Sequence, residues 1–287
     1  MLRDSSTQFG REFGPYRIRA VLGRGASSIV YLGRRSDGVD VAVKVLTAFA
    51  MGDAGFRRAI PREFDALRRV DHPGVIRAHR TGTIADVHFI ELEWIDGPTV
   101  SAALTSGKPL DLVRAVSIGA RVARALQHCH DHGVVHRDVK PSNILLRSDD
   151  DPVLFDFGLA QAGESPDAEP GRLYATSMTA SPEQIRARGP VDGRADVYAL
   201  GITLFRLATG SLPFVGDRMD MLRLHSEVEP PDPQAISKAV PDDFAALILR
   251  SIEKDPNQRF GSAEDMAVAL DGLDHAELEP RSRWRRS

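Results

Sequence analysis

Apolar and polar residues alternate from Tyr16 to Leu46. The apolar positions are Tyr16, Ile18, Ala20 and Leu22, then Ile29-Val30-Tyr31-Leu32, then Val39, Val41, Val43 and Val45. A period of two rich in β-branched residues predicts strands, and Asp37-Gly38 is a turn signal between the second and third runs. Three antiparallel strands are expected. Arg57 to Val70 changes to a helical period, with Phe56, Ile60, Phe64 and Leu67 on one stripe. Asp71-His72-Pro73-Gly74 ends that helix, and strands are predicted over Val75–Arg80 and Val87–Trp94. Asp96-Gly97-Pro98 then breaks the chain, and the pattern beyond it is mainly helical. Helices are expected over Leu110–His132, Arg194–Thr209, Arg218–Glu227, Asp242–Glu253 and Ser262–Gly272. Short β pieces and loops fill 133–158, and a long aperiodic segment fills 159–192. Loops of that length in a compact protein are usually functional.

This pattern divides the chain into a flexible N-terminal segment (1–13), a β-rich lobe with one main helix (14–95), a larger helical lobe (96–274) and a basic C-terminal tail (275–287). The fold class is therefore α+β and bilobal. With 42% apolar and 27% charged residues, the 287-residue chain has the composition of a folded globule. A net charge of −3 argues against a nucleic-acid partner. Cys129 is the single cysteine, which rules out an intrachain disulfide or a multi-thiolate metal site. No signal peptide and no run long enough for a transmembrane segment is visible, so a reducing, cytoplasmic setting is expected. Basic charge is nearly all arginine, a skew that hints at a GC-rich bacterial genome. The lysines are only Lys44, Lys108, Lys140, Lys238 and Lys254, and two of these fall where chemistry wants an ammonium.

Gly23-Arg24-Gly25-Ala26-Ser27-Ser28 approximates a glycine-rich phosphate turn, with Ser28 in place of a third glycine. A dinucleotide-binding fold needs a helix after such a turn, whereas Ile29–Leu32 continues as strand, which disfavours that reading. A plain hairpin turn and a phosphate-covering lid both remain open from the turn alone. Val41-Ala42-Val43-Lys44 favours the lid, because a lysine amid an apolar strand is costly without an anionic partner. Glu63 is the candidate partner. By itself it reads as a solvated helix residue beside Arg62. Paired with Lys44 at ~4 Å and an effective dielectric near 20, it would attract by about 4 kcal/mol before desolvation is counted. His136-Arg137-Asp138-Val139-Lys140-Pro141-Ser142-Asn143, followed by Asp156-Phe157-Gly158, brings two carboxylates, an ammonium and an amide within a short stretch. That is the inventory for activating a hydroxyl and holding Mg²⁺ against ATP phosphates.

Taken in order, these motifs resemble the eukaryotic-type (Hanks-type) serine/threonine protein kinases, most closely the bacterial members. The resemblance spans roughly residues 14–272. It rests on the glycine turn, Lys44, Glu63, the Asp138 loop, Asp156-Phe157-Gly158, Ser181-Pro182-Glu183-Gln184, Asp196-Val197-Tyr198-Ala199-Leu200-Gly201 and Arg259. It implies a Mg-ATP-dependent kinase that phosphorylates Ser/Thr hydroxyls of protein substrates and itself, with dimerisation left open. The implied catalytic residues are Asp138 as base, Lys140 beside the transferring phosphoryl, and Lys44 oriented by Glu63. The implied cofactor-binding residues are Gly23, Gly25, Ser28, Val30, Ala42, Lys44, Leu145, the Glu93 carbonyl and the Ile95 backbone, with Leu92 as gatekeeper. Asn143 and Asp156 are the implied metal ligands. Thr176 would sit beside Asp138, and Glu183 would pair with Arg259. Lys140 two residues after Asp138 points to Ser/Thr acceptors.

Ser28, Ala175, Thr179 and Ser181 depart from common family residues. Arg137 implies a pocket for an activation-loop phosphate. The candidate phosphoacceptors nearby are Ser165, Ser177 and Thr179, while Glu164, Asp167 and Glu169 could substitute for phosphate. The alternatives are a pseudokinase scaffold and a small-molecule phosphotransferase. A pseudokinase scaffold would normally have lost Lys44, Asp138 or Asp156, and a small-molecule phosphotransferase would usually lack Lys140 and the Ser181-Pro182-Glu183 platform. His128 and His132 have the spacing of a zinc pair but no evident third ligand. Arg281, Arg283, Arg285 and Arg286 around Trp284 read as a solvated cluster.

Overall fold

The structure is a computed structural model that describes residues 11–25, 27–47, 59–104, 108–162, 178–186 and 191–279. Its smaller part is a six-stranded antiparallel sheet. The strands are β1 (Glu12–Phe13), β2 (Tyr16–Arg24), β3 (Ser28–Arg34), β4 (Asp40–Leu46), β5 (Ala78–Ile84) and β6 (Val87–Glu93), in the order β1-β2-β3-β4-β6-β5. β4 is buried on both faces, and its alternation decides what each face carries. Val41, Val43 and Val45 join Phe13, Tyr16, Tyr31 and Phe89 in a core on the outer face. Ala42 and Leu46 belong to the main core on the other face, so Lys44 points the same way as they do.

β1 was not expected. Phe13 is 3% exposed and meets Phe89 edge-on at 5.8 Å, so part of the segment assigned to residues 1–13 is a packed edge strand. The outer face also buries Glu91, which accepts from Tyr16 Oη at 2.6 Å, Arg80 Nε at 2.8 Å and an Arg35 guanidinium nitrogen at 3.1 Å.

α1 (Ala59–Leu67) carries Glu63 and packs its Ile60 and Leu67 into the main core. The predicted helix began at Arg57, and residues 57 and 58 lie outside the described residues. The segment after α1 does not enter the sheet where the pattern suggested. Val75 instead bridges Leu154 in parallel, and Ile76 N donates to Leu154 O at 2.9 Å. β5 therefore starts only at Ala78.

The larger part contains α2 (Val100–Ala103), α3 (Leu112–Asp131), β7 (Val134–Val135), the hairpin of β8 (Ile144–Leu146) and β9 (Pro152–Leu154), and β10 (Gln161–Ala162), which pairs with β7. It continues with α4 (Pro182–Arg186), α5 (Arg194–Thr209), α6 (Arg218–Glu227), α7 (Pro233–Ile236), α8 (Asp242–Ser251), α9 (Ala263–Asp271) and α10 (His275–Leu278). Asp111 caps α3 by accepting from Arg114 N, and Ser262 caps α9 through Asp265 N. α5 is the hub: every residue but Arg194 and Arg206 is buried. Its Gly201 admits α8 so closely that a Cβ there would lie 2.6 Å from Ser251 Cβ. Leu278 of α10 is 2% exposed, so the first residues of the segment assigned as a basic tail (275–287) form a packed helix. The remainder of that tail, including the arginines around Trp284, lies outside the described residues.

Candidate active site

Three side chains from distant parts of the chain meet at one ammonium. Lys44 Nζ lies 2.9 and 2.7 Å from the two Glu63 oxygens and 2.7 Å from Asp156 Oδ1. β4 supplies the lysine, α1 the glutamate, and the turn after β9 the aspartate. Lys44 is 8% exposed and Glu63 2%. Burial opposes the lysine's charge, but Asp156 and Glu63 outweigh it and hold its pKa above the ordinary value. Lys44 in turn holds the Asp156 carboxyl below its usual range. Burial pushes the Glu63 carboxyl up and Lys44 pulls against it; two short contacts keep Glu63 an acceptor.

A second cluster surrounds Asp138. Its Oδ2 accepts from Lys140 Nζ at 2.8 Å and Asn143 Nδ2 at 2.9 Å, and Asn143 Nδ2 also reaches the Asp138 carbonyl at 2.9 Å. Among the described residues, Oδ1 is buried without a hydrogen-bond partner. Burial, only partly offset by Lys140, pushes the Asp138 carboxyl up to about 7. A carboxylate with one free acceptor and a pKa near neutrality suits proton acceptance from a hydroxyl.

The backbone beneath this cluster is held by a residue whose role was not read from the sequence. Asp196, in the first turn of α5, is fully buried and accepts from His136 N at 2.8 Å and Arg137 N at 2.7 Å. His130 Nε2 lies 2.8 Å from its Oδ2. Burial pushes the Asp196 carboxyl up, but His130 and these contacts outweigh it and hold it low. The one acidic residue of a mainly apolar helix was the available signal, since a buried carboxylate must be paired. His136 is likewise buried. Its Nδ1 accepts from Asp138 N at 3.2 Å, so its Nε2 donates to Phe155 O at 3.2 Å. Burial lowers its pKa, consistent with a neutral ring.

The other described nucleotide-site candidates lie on β2, β3, β4, β6 and β8 and the turns beside them. Gly25 N donates to Ser28 O at 2.8 Å and closes the glycine turn; Ala26 lies outside the described residues. Gly23 pairs with Val30. Val30 and Leu145 pack on the same core as Ala42, Leu92 and Ile95. Glu93 ends β6, and its carboxylate accepts from Arg77 N at 2.9 Å and from Arg147 at 3.3 Å. Just beyond, Gly97 lies against β8 so closely that a Cβ would sit 1.8 Å from Leu146 O. Glu183 pairs with Arg259 through two contacts of 2.7 and 2.8 Å. Glu164, Ser165, Asp167, Glu169, Ala175, Thr176 and Ser177 lie outside the described residues.

Asn143 and Asp156 fit a hard cation. Asn143's amide nitrogen is committed to Asp138, which leaves its carbonyl oxygen, and Asp156 adds an ionised carboxylate. No group of three or more His, Cys, Asp or Glu that could hold a metal occurs among the described residues. The His128 and His132 rings lie tilted with centroids 4.4 Å apart, the His72 ring is 5.1 Å from that of His128, and His132 Nδ1 donates to His128 O. Among those residues, no helix is long and apolar enough to cross a membrane.

Comparison with known proteins agrees with this geometry. The protein kinase domain family matches residues 16–269. The chain is 38% identical over 272 residues to serine/threonine-protein kinase PknJ of Mycobacterium tuberculosis, covering 91% of this chain and 45% of that protein. It is 36% identical over 273 residues to PknD of the same species, covering 93% and 41% respectively. It thus spans less than half the length of these relatives. Among solved structures, a cysteine-to-alanine mutant of the M. tuberculosis PknI kinase domain matches with a TM-score of 0.72 and 28% identity, over 93% of this chain and 98% of that one.

Proposed function

Since this chain belongs to the protein kinase domain family, in its bacterial Hanks-type branch, we propose that it transfers the ATP γ-phosphoryl to Ser/Thr hydroxyls of protein substrates and of itself. Members of this family act on ATP with Mg²⁺. The observation that carries the reading is the convergence on Lys44, beside an Asp138 whose second oxygen is free. In-line phosphoryl transfer needs alignment and charge neutralisation more than covalent help.

In this reading Lys44, held by Glu63, grips the α- and β-phosphates. Asp138 orients the acceptor hydroxyl and takes its proton, and Lys140 offsets charge on the transferring group. Gly23, Gly25 and Ser28 cover the phosphates. Val30, Ala42 and Leu145 enclose the purine, while the Glu93 carbonyl and Ile95 backbone bond its edge. Asn143 and Asp156 would hold Mg²⁺, which neutralises phosphate charge. Residues 14–95 form the nucleotide-covering lobe and 96–274 the substrate-binding lobe. We assign the activity to the cytoplasm, where ATP is present. Incubation of the purified chain with Mg²⁺, ATP labelled in the γ-phosphate and casein tests this. Label in casein Ser/Thr is expected; label only in small molecules, or none at all, overturns it.

A further inference from the structure

We propose that Gln184 is a positioning residue that ties the peptide-binding platform to the catalytic loop, fixing the peptide between Arg137 and Asp138. The inference rests on the kinase reading and adds a residue to that same site.

Gln184 lies in α4 and is 7% exposed. Its Oε1 accepts from Ser181 N at 3.1 Å and Ser181 Oγ at 3.0 Å. A backbone N–H can only donate, so the oxygen must face Ser181 and the amide nitrogen must face away. That nitrogen donates to the Arg137 carbonyl at 3.0 Å. The neighbouring Glu183 turns instead to Arg259, so consecutive residues brace different partners.

Arg137 needs such a hold. Its φ is +67°, in the left-handed region that a non-glycine residue keeps only when its surroundings over-determine it. Asp196 Oδ1 takes its N–H at 2.7 Å from the α5 side, and Gln184 takes its C=O from the platform side. The Arg137 carbonyl and the Asp138 N–H belong to one peptide plane. Asp138 N in turn donates to His136 Nδ1. Rotation of that plane would shift Asp138, and misplacing a reacting group by about 1 Å costs on the order of 100-fold in rate.

Gln184→Glu separates the two ties. The carboxylate keeps an acceptor for Ser181 but loses the donor to Arg137 O. Burial raises the pKa of the new carboxyl, and once protonated it donates again. Gln184→Met preserves volume and loses both ties at every pH. With Mg-ATP and casein at about pH 8, both variants of the full chain should show kcat about 10- to 100-fold below wild type, with KM for ATP within about twofold. At about pH 6 the ratio of Gln184→Glu to wild type should rise, while that of Gln184→Met stays low. Melting curves establish that each variant is folded. A folded Gln184→Glu with wild-type kcat, a ratio that does not change with pH, or a loss confined to KM for ATP would overturn the inference. If Gln184→Glu does not fold, a folded Gln184→Met with wild-type kcat overturns it. A wild-type chain that transfers no phosphoryl group removes the kinase reading and this inference together.

Discussion

Replacing Asp138 by asparagine should abolish phosphoryl transfer and stabilise the fold at alkaline pH. Asp138 is 4% exposed, and burial raises its carboxyl pKa from 3.8 to about 7. At about 1.4 kcal/mol for each tenfold in acidity, the folded state carries about 4 kcal/mol against the ionised form. The pH window follows from the sign of that change. Between 3.8 and 7 the folded state binds the proton and the unfolded state does not, so stability falls as pH rises, then levels off. About 2.5 kcal/mol of the penalty develops between about pH 5 and pH 8. Asparagine resembles the neutral carboxyl and escapes the penalty, but forfeits the pairing with Lys140, whose side chain is 26% exposed and can turn to water. The net gain should therefore be about 1–3 kcal/mol at about pH 8, shrinking towards zero at about pH 5. Urea unfolding of both proteins at the two pH values measures it, alongside labelled phosphate transfer. A variant less stable than wild type at pH 8, or a difference independent of pH, would refute the burial argument. Robust turnover by the variant would refute the role of Asp138.

Other substitutions probe separate parts of the site. Lys44→Met should abolish transfer and also lower stability by about 3–5 kcal/mol, because Glu63 at 2% exposure loses its cation; an unchanged urea midpoint would argue against the buried pair. Glu183→Ala takes the carboxylate from a guanidinium whose side chain is fully buried, leaving it backbone carbonyls alone as acceptors. A loss of about 3 kcal/mol with unchanged nucleotide affinity is expected, and the reverse pattern would disprove the brace. In Gly97→Ala the new Cβ meets a backbone carbonyl that cannot swing away, so melting temperature and nucleotide affinity should both fall. Wild-type values of both would mean that the segment after β6 shifts freely. Activity of the wild-type chain should drop as pH falls below about 7, as Asp138 takes up a proton; a rate that is flat from about pH 8 to pH 5.5 would contradict it.

Periodicity in the sequence was sufficient wherever structure is set by neighbours along the chain. α5 spans Arg194–Thr209 and α6 spans Arg218–Glu227, the bounds their apolar pattern predicts. The apolar run around Lys44 marked it as a lysine in a buried strand, and the structure puts it on the face of Ala42 and Leu46. The cost of burying that ammonium pointed to Glu63, and the pair meets at 2.7 Å. Tertiary structure decided pairings that no such argument reached. Val75 and Ile76 read as strand because they are apolar and β-branched, yet they pair with β9 rather than with the sheet. Asp196 and Gln184 carry no periodic signal. Each matters through hydrogen bonds to Arg137, whose left-handed backbone is maintained from two sides by residues 59 and 47 positions away. Local pattern reports which side chains avoid water. Only the assembled chain determines which buried polar atoms satisfy each other, because that pairing depends on distances that no short window of sequence contains.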